Sequence, residues 1–406
     1  MNILILTMNI GGNAPGIVNK RLISELSHYH KIDVVTSSDT ANVDFSKVNS
    51  VCVIPYISLP EKLVVFLSNL KIVYKQYYVD IRPKIMKFLV GVLGFNPIDY
   101  WWLFKIKRRI KETNGRYDLV FSLCSAHHYA SIVAGRKLSS ILGAKWAVYS
   151  VDAIPSPFEW ESNVFYRRGC KRMVRRYLSE TDAFFSANTQ MLNYQVSILS
   201  PRKDCLLGVI YNPSPNTPIN LPVAKSLIFL YTGNIYGVRK VKYLLMAFKR
   251  LLSKYPEAKL YFVGSIISDS EFLFLTEKER ESIMIFPRTD NLNSYYEEAC
   301  CLIDIDADIE NDIFLSSKVI NYIQVNRPII CETGLNSPSR YLFKGIPSII
   351  QCGHCSDELY MAMKNIIENP VIDFTDRKHV IDLFKVDNVV QKINKELIPL
   401  VSTRVE

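Results

Sequence analysis

Two stretches of the chain carry residue types suited to holding an anion. In FLSSKVINYIQVNRPII, residues 314–330, Ser316, Ser317 and Lys318 stand where a helix would begin, Asn326-Arg327-Pro328 where it would stop, and a buried strand follows. Backbone N–H groups at a helix start lack intrahelical partners and lie at the positive end of the dipole, and Lys318 adds a full charge in the same turn. The other stretch is FLYTGNIYGVRKVKYLLMAFKRLL, residues 229–252, read as strand, glycine turn and basic amphipathic helix. Gly233 would let the backbone approach a ligand closely, Asn234 stands beside it, and the Arg239 guanidinium could grip a diphosphate through two parallel hydrogen bonds. Taken singly, each stretch also fits an ordinary capped helix or a βα turn with solvated cations.

The first half offers His127, His128 and Asp152. The segment FSLCSAHHYASIVAGRKLSSILGAKWAVYSVDAIPSP ends one strand, crosses a helix and ends another, and active groups of open α/β sheets gather at such carboxyl ends. A histidine at a helix start also serves as a cap. Gly11-Gly12, after the opening strand NILILT, could bring backbone N–H groups against a ligand, although the full dinucleotide glycine fingerprint is absent.

The elements that must position these residues alternate strand and helix throughout, so the fold class is α/β with parallel sheets. NILILT, a helix over 17–28 and a strand over 32–36 form a βαβ unit, and strands follow at 119–123, 145–150 and 183–186. YNPSPNTPINLP, residues 211–222, has four prolines and cannot sit in a central strand or helix. It marks a linker at 213–222 between a first domain, 1–212, and a second, 223–388, whose strands fall near 227–231, 259–263, 284–286, 302–305, 328–331 and 348–351. An amphipathic helix over 390–400 lies within the last segment, 389–406.

Taken together, Gly233, Arg239, Ala247-Phe248, Ser317-Lys318 and Pro328-Ile329-Ile330 resemble, in order and spacing, the donor half of glycosyltransferase family four. The resemblance implies the GT-B fold, two Rossmann-like doubly wound parallel-sheet domains facing a cleft, with the last helix returning to the first domain. It implies a nucleotide-diphosphate sugar held by Gly11, Gly12, Gly233, Asn234, Arg288, Ser316, Ser317 and Asn321. Arg239 and Lys318 would stabilise the departing diphosphate, His128 would bond the transferred sugar, and Asp152 would orient or deprotonate the acceptor hydroxyl. Retention of anomeric configuration is likewise the family's. The chain departs from the pattern where many members place two glutamates, because Ile313 and Asn321 stand there. A nucleotide-sugar epimerase of the same fold and a non-catalytic nucleotide-sugar or glycan-binding protein are the competing readings.

Composition sets the remaining expectations. With 406 residues, 49% of them hydrophobic, the chain has material for two cores. The net charge of +10 calls for an anionic partner, and nucleic acid is disfavoured by the lack of zinc spacing or an RNA-recognition signature. No leader follows Met1 and the nine cysteines are scattered, so a reduced, cytoplasmic protein is expected. Between Arg82 and Lys111, cations interleave with Phe88, Phe95, Trp101, Trp102 and Phe104, the mixture of a segment resting on an anionic membrane. The acceptor would then be a lipid-linked glycan of bacterial surface polysaccharide (capsule, O-antigen or exopolysaccharide) assembly. Asp304, Asp306 and Asp308 are spaced like metal-holding aspartates but are expected to be solvated or capping, with no metal or other cofactor required. Cys352-Gly353-His354-Cys355 has the spacing of a redox motif, which too short a remaining chain disfavours.

Overall fold

Apolar runs bounded by turns become strands, and the amphipathic runs between them become helices. The computed structural model describes residues 1–37, 46–56, 75–113, 116–125 and 129–402, which divide into two compact units: residues 1–213 with those from 386 onward, and residues 214–385.

The first unit runs β1 (Asn2–Thr7), α1 (Ala14–Leu26), β2 (Lys31–Thr36), β3 (Ser50–Val53), α2 (Lys75–Leu93), α3 (Pro97–Thr113), β4 (Leu119–Cys124), α4 (Ala130–Leu142), β5 (Lys145–Ser150), α5 (Val164–Leu178), β6 (Ala183–Ser186), α6 (Thr189–Leu199) and β7 (Leu206–Val209). Its sheet is ordered β3-β2-β1-β4-β5-β6-β7 and is parallel throughout. Successive side chains of a strand point to opposite faces. Leu4, Leu6 and Val120 therefore enter one core with Trp102, Trp146 and Met173, while Ile3, Ile5, Leu119 and Phe121 enter another with Val18, Leu22 and Ile23. Two buried faces explain why all six residues of β4 are apolar or small and fully covered. Helix starts are fixed by asparagine caps: Asn13, Asn163 and Asn188 each accept a backbone N–H from the first turn of α1, α5 and α6.

The second unit runs β8 (Ile228–Thr232), α7 (Lys242–Leu252), β9 (Lys259–Val263), α8 (Glu277–Glu281), β10 (Ile283–Phe286), α9 (Asn293–Glu298), β11 (Ala299–Ile305), α10 (Ser317–Tyr322), β12 (Ile329–Glu332), α11 (Pro338–Leu342), β13 (Ile349–Cys352), α12 (Ser356–Glu368) and α13 (Lys378–Phe384). Its parallel sheet is ordered β10-β9-β8-β11-β12-β13. Phe229, Tyr231, Phe262, Ile303 and Ile305 pack there against Leu244, Phe248 and Leu251 of α7 and Leu359 and Met363 of α12. The last helix, α14 (Val386–Ser402), buries Val386, Val389, Val390, Ile393 and Leu397 in the same core as α1, within the first unit.

Two expectations change. Residues 214–222 are not a free linker: Ser214 N donates to Phe384 O at 2.6 Å, Ile219 N to Gln324 O at 2.7 Å, Leu221 N to Asn326 Oδ1 at 2.8 Å, and the Arg327 guanidinium to Pro222 O at 2.7 Å. Prolines leave this stretch few donors, and the second unit takes them up. The helix expected from Ser316 to the Asn326 turn, now α10, is six residues long, because Gln324 and Val325 tighten into i→i−3 bonds to Asn321 and Tyr322.

Candidate functional site

The two anion-suited stretches meet at Gly233. β8 ends at Thr232, and Gly233 turns the chain at φ +103°, a conformation that L side chains rarely adopt. Its N–H donates to Val263 O at 2.7 Å and its carbonyl accepts Ser265 Oγ at 2.6 Å, so the loops after β8 and β9 are tied together. A Cβ at Gly233 would lie 2.8 Å from Lys318 Cε. The missing side chain is therefore the space that the lysine stem occupies, and Lys318 Nζ sits 5.2 Å above the Tyr231 ring. Asn234, beside it, is exposed and accepts Ile235 N at 2.9 Å and Ile266 N at 3.2 Å through Oδ1. It shapes the turn. Gly264 (φ +79°) turns the loop after β9 where a Cβ would lie 3.4 Å from Arg288 Cα, and Arg288 is exposed after β10.

Ser316 caps α10, accepting Lys318 N at 3.3 Å while Oγ donates to Asp304 Oδ1 at 2.7 Å. Arg239 lies under this end of the sheet with its side chain only 8% exposed, 3.7 Å from Asp306 Oδ1 and 5.1 Å from the Tyr236 ring centre. Its backbone pairs antiparallel with Ala307. Asp304 and Asp306 are thus neither solvated nor capping carboxylates. They are buried, at 0% and 1% exposure, and the second oxygen of each has no hydrogen-bond partner among the described residues. Two residues apart at the end of β11, they face the same side, where Arg239, 3.7 Å from Asp306, supplies the charge that offsets the burial of the acidic pair.

The charges are strongly perturbed. Burial, then Asp312 and Asp304, push the Asp306 carboxyl up to about 8 against the pull of Arg239. Burial, then repulsion from Arg239, lower the Lys318 ammonium to about 8, with Asp304 and Asp306 opposing. Burial would lower Arg239, but Asp306 and the tyrosines around it raise it on balance. A guanidinium and an ammonium held at the carboxyl ends of β8 and β11 can neutralise a diphosphate; α10 is short, so the fixed cations rather than its dipole carry most of that charge.

The structure brings Gly233, Arg239, Ser316 and Lys318 into one cluster, with Asn234 and Arg288 on the adjoining loops. Ser317 begins α10 and is half-buried; its carbonyl accepts Asn321 Nδ2 at 2.8 Å, so the Asn321 amide is engaged inside the helix. Gly11 and Gly12 take φ of 72° and 73° between β1 and α1, and Asp152 follows β5; all three belong to the first unit. His127 and His128 lie outside the described residues. Cys352 is buried, and burial followed by Glu358 pushes its thiol up to about 12, the reverse of a redox-active cysteine.

The described side chains of residues 84–110 divide between core and surface. Trp102, Leu103 and Ile106 are core, with Trp102 Nε1 donating to Ile54 O at 2.8 Å. On the outside, Ile85, Phe88 and Val92 of α2 and Val164 and Phe165 of α5 are exposed, with the Phe88 and Phe165 rings 5.9 Å apart and exposed Lys84, Arg168 and Arg172 on the same two helices. No helix among the described residues is long and apolar enough to cross a membrane.

No protein-family model matches the chain, and no curated protein matches it. Solved structures do. Anabaena Alr3699/HepE, in complex with UDP, is 14% identical with a TM-score of 0.66, over 98% of this chain and 100% of that one. The lipopolysaccharide outer core galactosyltransferase WaaB is 13% identical with a TM-score of 0.63, over 98% and 99%. A Listeria monocytogenes protein described as a candidate UDP-N-acetylglucosamine 2-epimerase is 10% identical with a TM-score of 0.59, over 100% and 98%. The fold is GT-B, the fold of these glycosyltransferases.

Proposed function

We propose that the chain is a glycosyltransferase that takes a sugar from a nucleotide-diphosphate donor held on the second unit and delivers it to an acceptor on the first. The observation that carries this reading is the convergence of Arg239 and Lys318 beside Gly233, where a glycine leaves room for the lysine stem. As the sugar leaves, negative charge grows on the diphosphate, and two fixed cations in a partly dry site stabilise that charge more than the ground state. They supply what a divalent ion supplies elsewhere, which supports a metal-independent transfer. Retention is carried over from the resemblance to family four, and His128 and Asp152 are its sugar-binding and acceptor-orienting residues. The UDP bound to Alr3699/HepE supports a uridine diphosphate donor, and WaaB supports a role in surface polysaccharide assembly. The phenylalanine and arginine surface of α2 and α5 supports contact with an anionic membrane carrying a lipid-linked acceptor. The likeness to the Listeria protein keeps an acceptor-free epimerase as a second reading.

Thermal stability with UDP, GDP, dTDP and CDP, with AMP as control, tests the donor site on the native protein and on Arg239→Ala. A ligand at a hundred times its Kd adds about 2.7 kcal/mol. One diphosphate should raise the melting temperature, and the variant should lose the shift and about 10²- to 10³-fold in transfer rate. An Arg239→Ala protein with full transfer rate would overturn the assignment, and a new sugar formed without acceptor would favour the epimerase.

A further inference from the structure

We infer that His354 is a positioning residue of the donor site, clamping the end of β11 so that Asp306 stays against Arg239 and thereby setting the affinity for a nucleoside diphosphate. The inference rests on the donor-site reading above and adds a residue that the cation cluster does not contain.

His354 follows β13, and both ring nitrogens are engaged: Nδ1 lies 2.9 Å from Glu332 Oε1 and Nε2 lies 2.8 Å from Ala307 O. A carbonyl oxygen only accepts, so Nε2 carries a proton; a carboxylate also only accepts, so Nδ1 carries the other. With Glu332 ionised, the ring that satisfies both is the imidazolium; burial raises the Glu332 carboxyl and His354 opposes that rise. Each partner is one bond from Asp306. The Glu332 carbonyl accepts Asp306 N at 2.9 Å, Ala307 N donates to Asp306 Oδ1 at 2.9 Å, and Ala307 pairs across the chain with Arg239. Glu332 is 0% exposed and its second oxygen has no hydrogen-bond partner among the described residues, so His354 is the cation that makes its burial tolerable. The clamp therefore reaches the Asp306 side chain facing Arg239 from two sides.

Deprotonation should release it. A neutral ring keeps one donor, so either Ala307 O loses its bond or a nitrogen lone pair faces the Glu332 carboxylate. The groups around His354 are Glu332 on β12, the Ala307 carbonyl and Asp308 after β11, and the Tyr243 ring of α7 at 6.2 Å, with Asp308 bonded in turn to Lys240 at 3.1 Å. Burial lowers the ring's affinity for a proton, but Glu332 and then Asp308 more than restore it, leaving it raised above the usual histidine range. Lys318 titrates near 8 in the same site and contributes its own loss of affinity at higher pH.

UDP binding by calorimetry from pH 6 to 9, on the native protein, His354→Gln and Glu332→Gln, separates the two. A glutamine amide can donate to only one of the two distant acceptors, so His354→Gln should bind UDP about fivefold to tenfold more weakly at pH 6.5 and keep only the fall near pH 8 that belongs to Lys318. Glu332→Gln removes the need for the imidazolium, because a neutral ring can then donate to Ala307 and accept from the new amide; its binding should lose the His354 component of the pH profile. Amide hydrogen exchange of residues 305–309, measured without nucleotide, should speed up at least fivefold in His354→Gln. Native and His354→Gln binding curves that run parallel across pH, or unchanged exchange, overturn the inference. A native protein that binds no nucleoside diphosphate defeats the donor-site reading, and the exchange measurement still decides the clamp.

Discussion

Lys318 should cost the folded protein stability while serving the ligand. Its ammonium is held at about 8 against an ordinary 10.5, with burial as the first cause. A tenfold loss of proton affinity on folding corresponds to about 1.36 kcal/mol, so folding the charged side chain into this position costs about 3 kcal/mol, which partial exposure reduces to about 2. Because the folded state prefers the neutral amine, the penalty is complete below pH 8 and fades as pH rises toward 10.5. Lys318→Met keeps the stem that fills the space at Gly233 and sets a sulfur near the Tyr231 ring, a favourable contact. The variant should therefore be more stable than the native protein at pH 7 by about 2 kcal/mol, a rise of several degrees in melting temperature, with about half of that gap lost by pH 9.5. It should also lose the stabilisation given by saturating UDP. Thermal scanning at both pH values, with and without UDP, measures all of this. A methionine variant less stable than native at pH 7, or a gap that ignores pH, would refute the account of Lys318 as a charge buried for function.

Gly233→Ala places a Cβ 2.8 Å from Lys318 Cε at φ +103°, so it should lower stability by about 1–2 kcal/mol and weaken UDP at least tenfold by displacing the ammonium. Calorimetry showing native affinity would sink the idea that this glycine is there for the lysine. The α2–α5 surface predicts sedimentation with phosphatidylglycerol vesicles that declines as salt is added and drops at least threefold in a Phe88→Ser, Phe165→Ser double variant. No sedimentation at low salt removes the membrane contact.

The parallel sheets were legible because strands buried on both faces are apolar or small past their first residue, as at 120–124, 146–150 and 260–263. The meeting of Gly233 and Lys318 was legible in part, because a glycine turn and a serine-capped lysine have local physical reasons to stand where they do. The acidic half of the site was hidden. Asp304 and Asp306 have the spacing of exposed turn residues as readily as of buried counter-ions, and only the register that lays β11 between β8 and β12 decides which they are. The one available signal was two aspartates at i and i+2 closing an apolar strand. The role of His354 was hidden by its neighbours, since flanking cysteines suggested redox chemistry while its partners, Glu332 and Ala307, are distant in sequence. α10 came out shorter than its pattern because hydrophobic periodicity does not register where i→i−4 bonds give way to i→i−3.

Because α14 completes the core that β1 and α1 begin, the first unit is discontinuous in the chain, with all of residues 214–385 interposed. On a ribosome adding about 5–20 residues per second, the apolar flank formed by Ile3, Ile5, Val18 and Leu22 waits on the order of ten seconds or more for Val389, Val390 and Ile393 to emerge, whereas the second unit is uninterrupted and can close as soon as it is made. The half that begins synthesis first is therefore the half that finishes last, and during that interval it is the more exposed to chaperones and proteases.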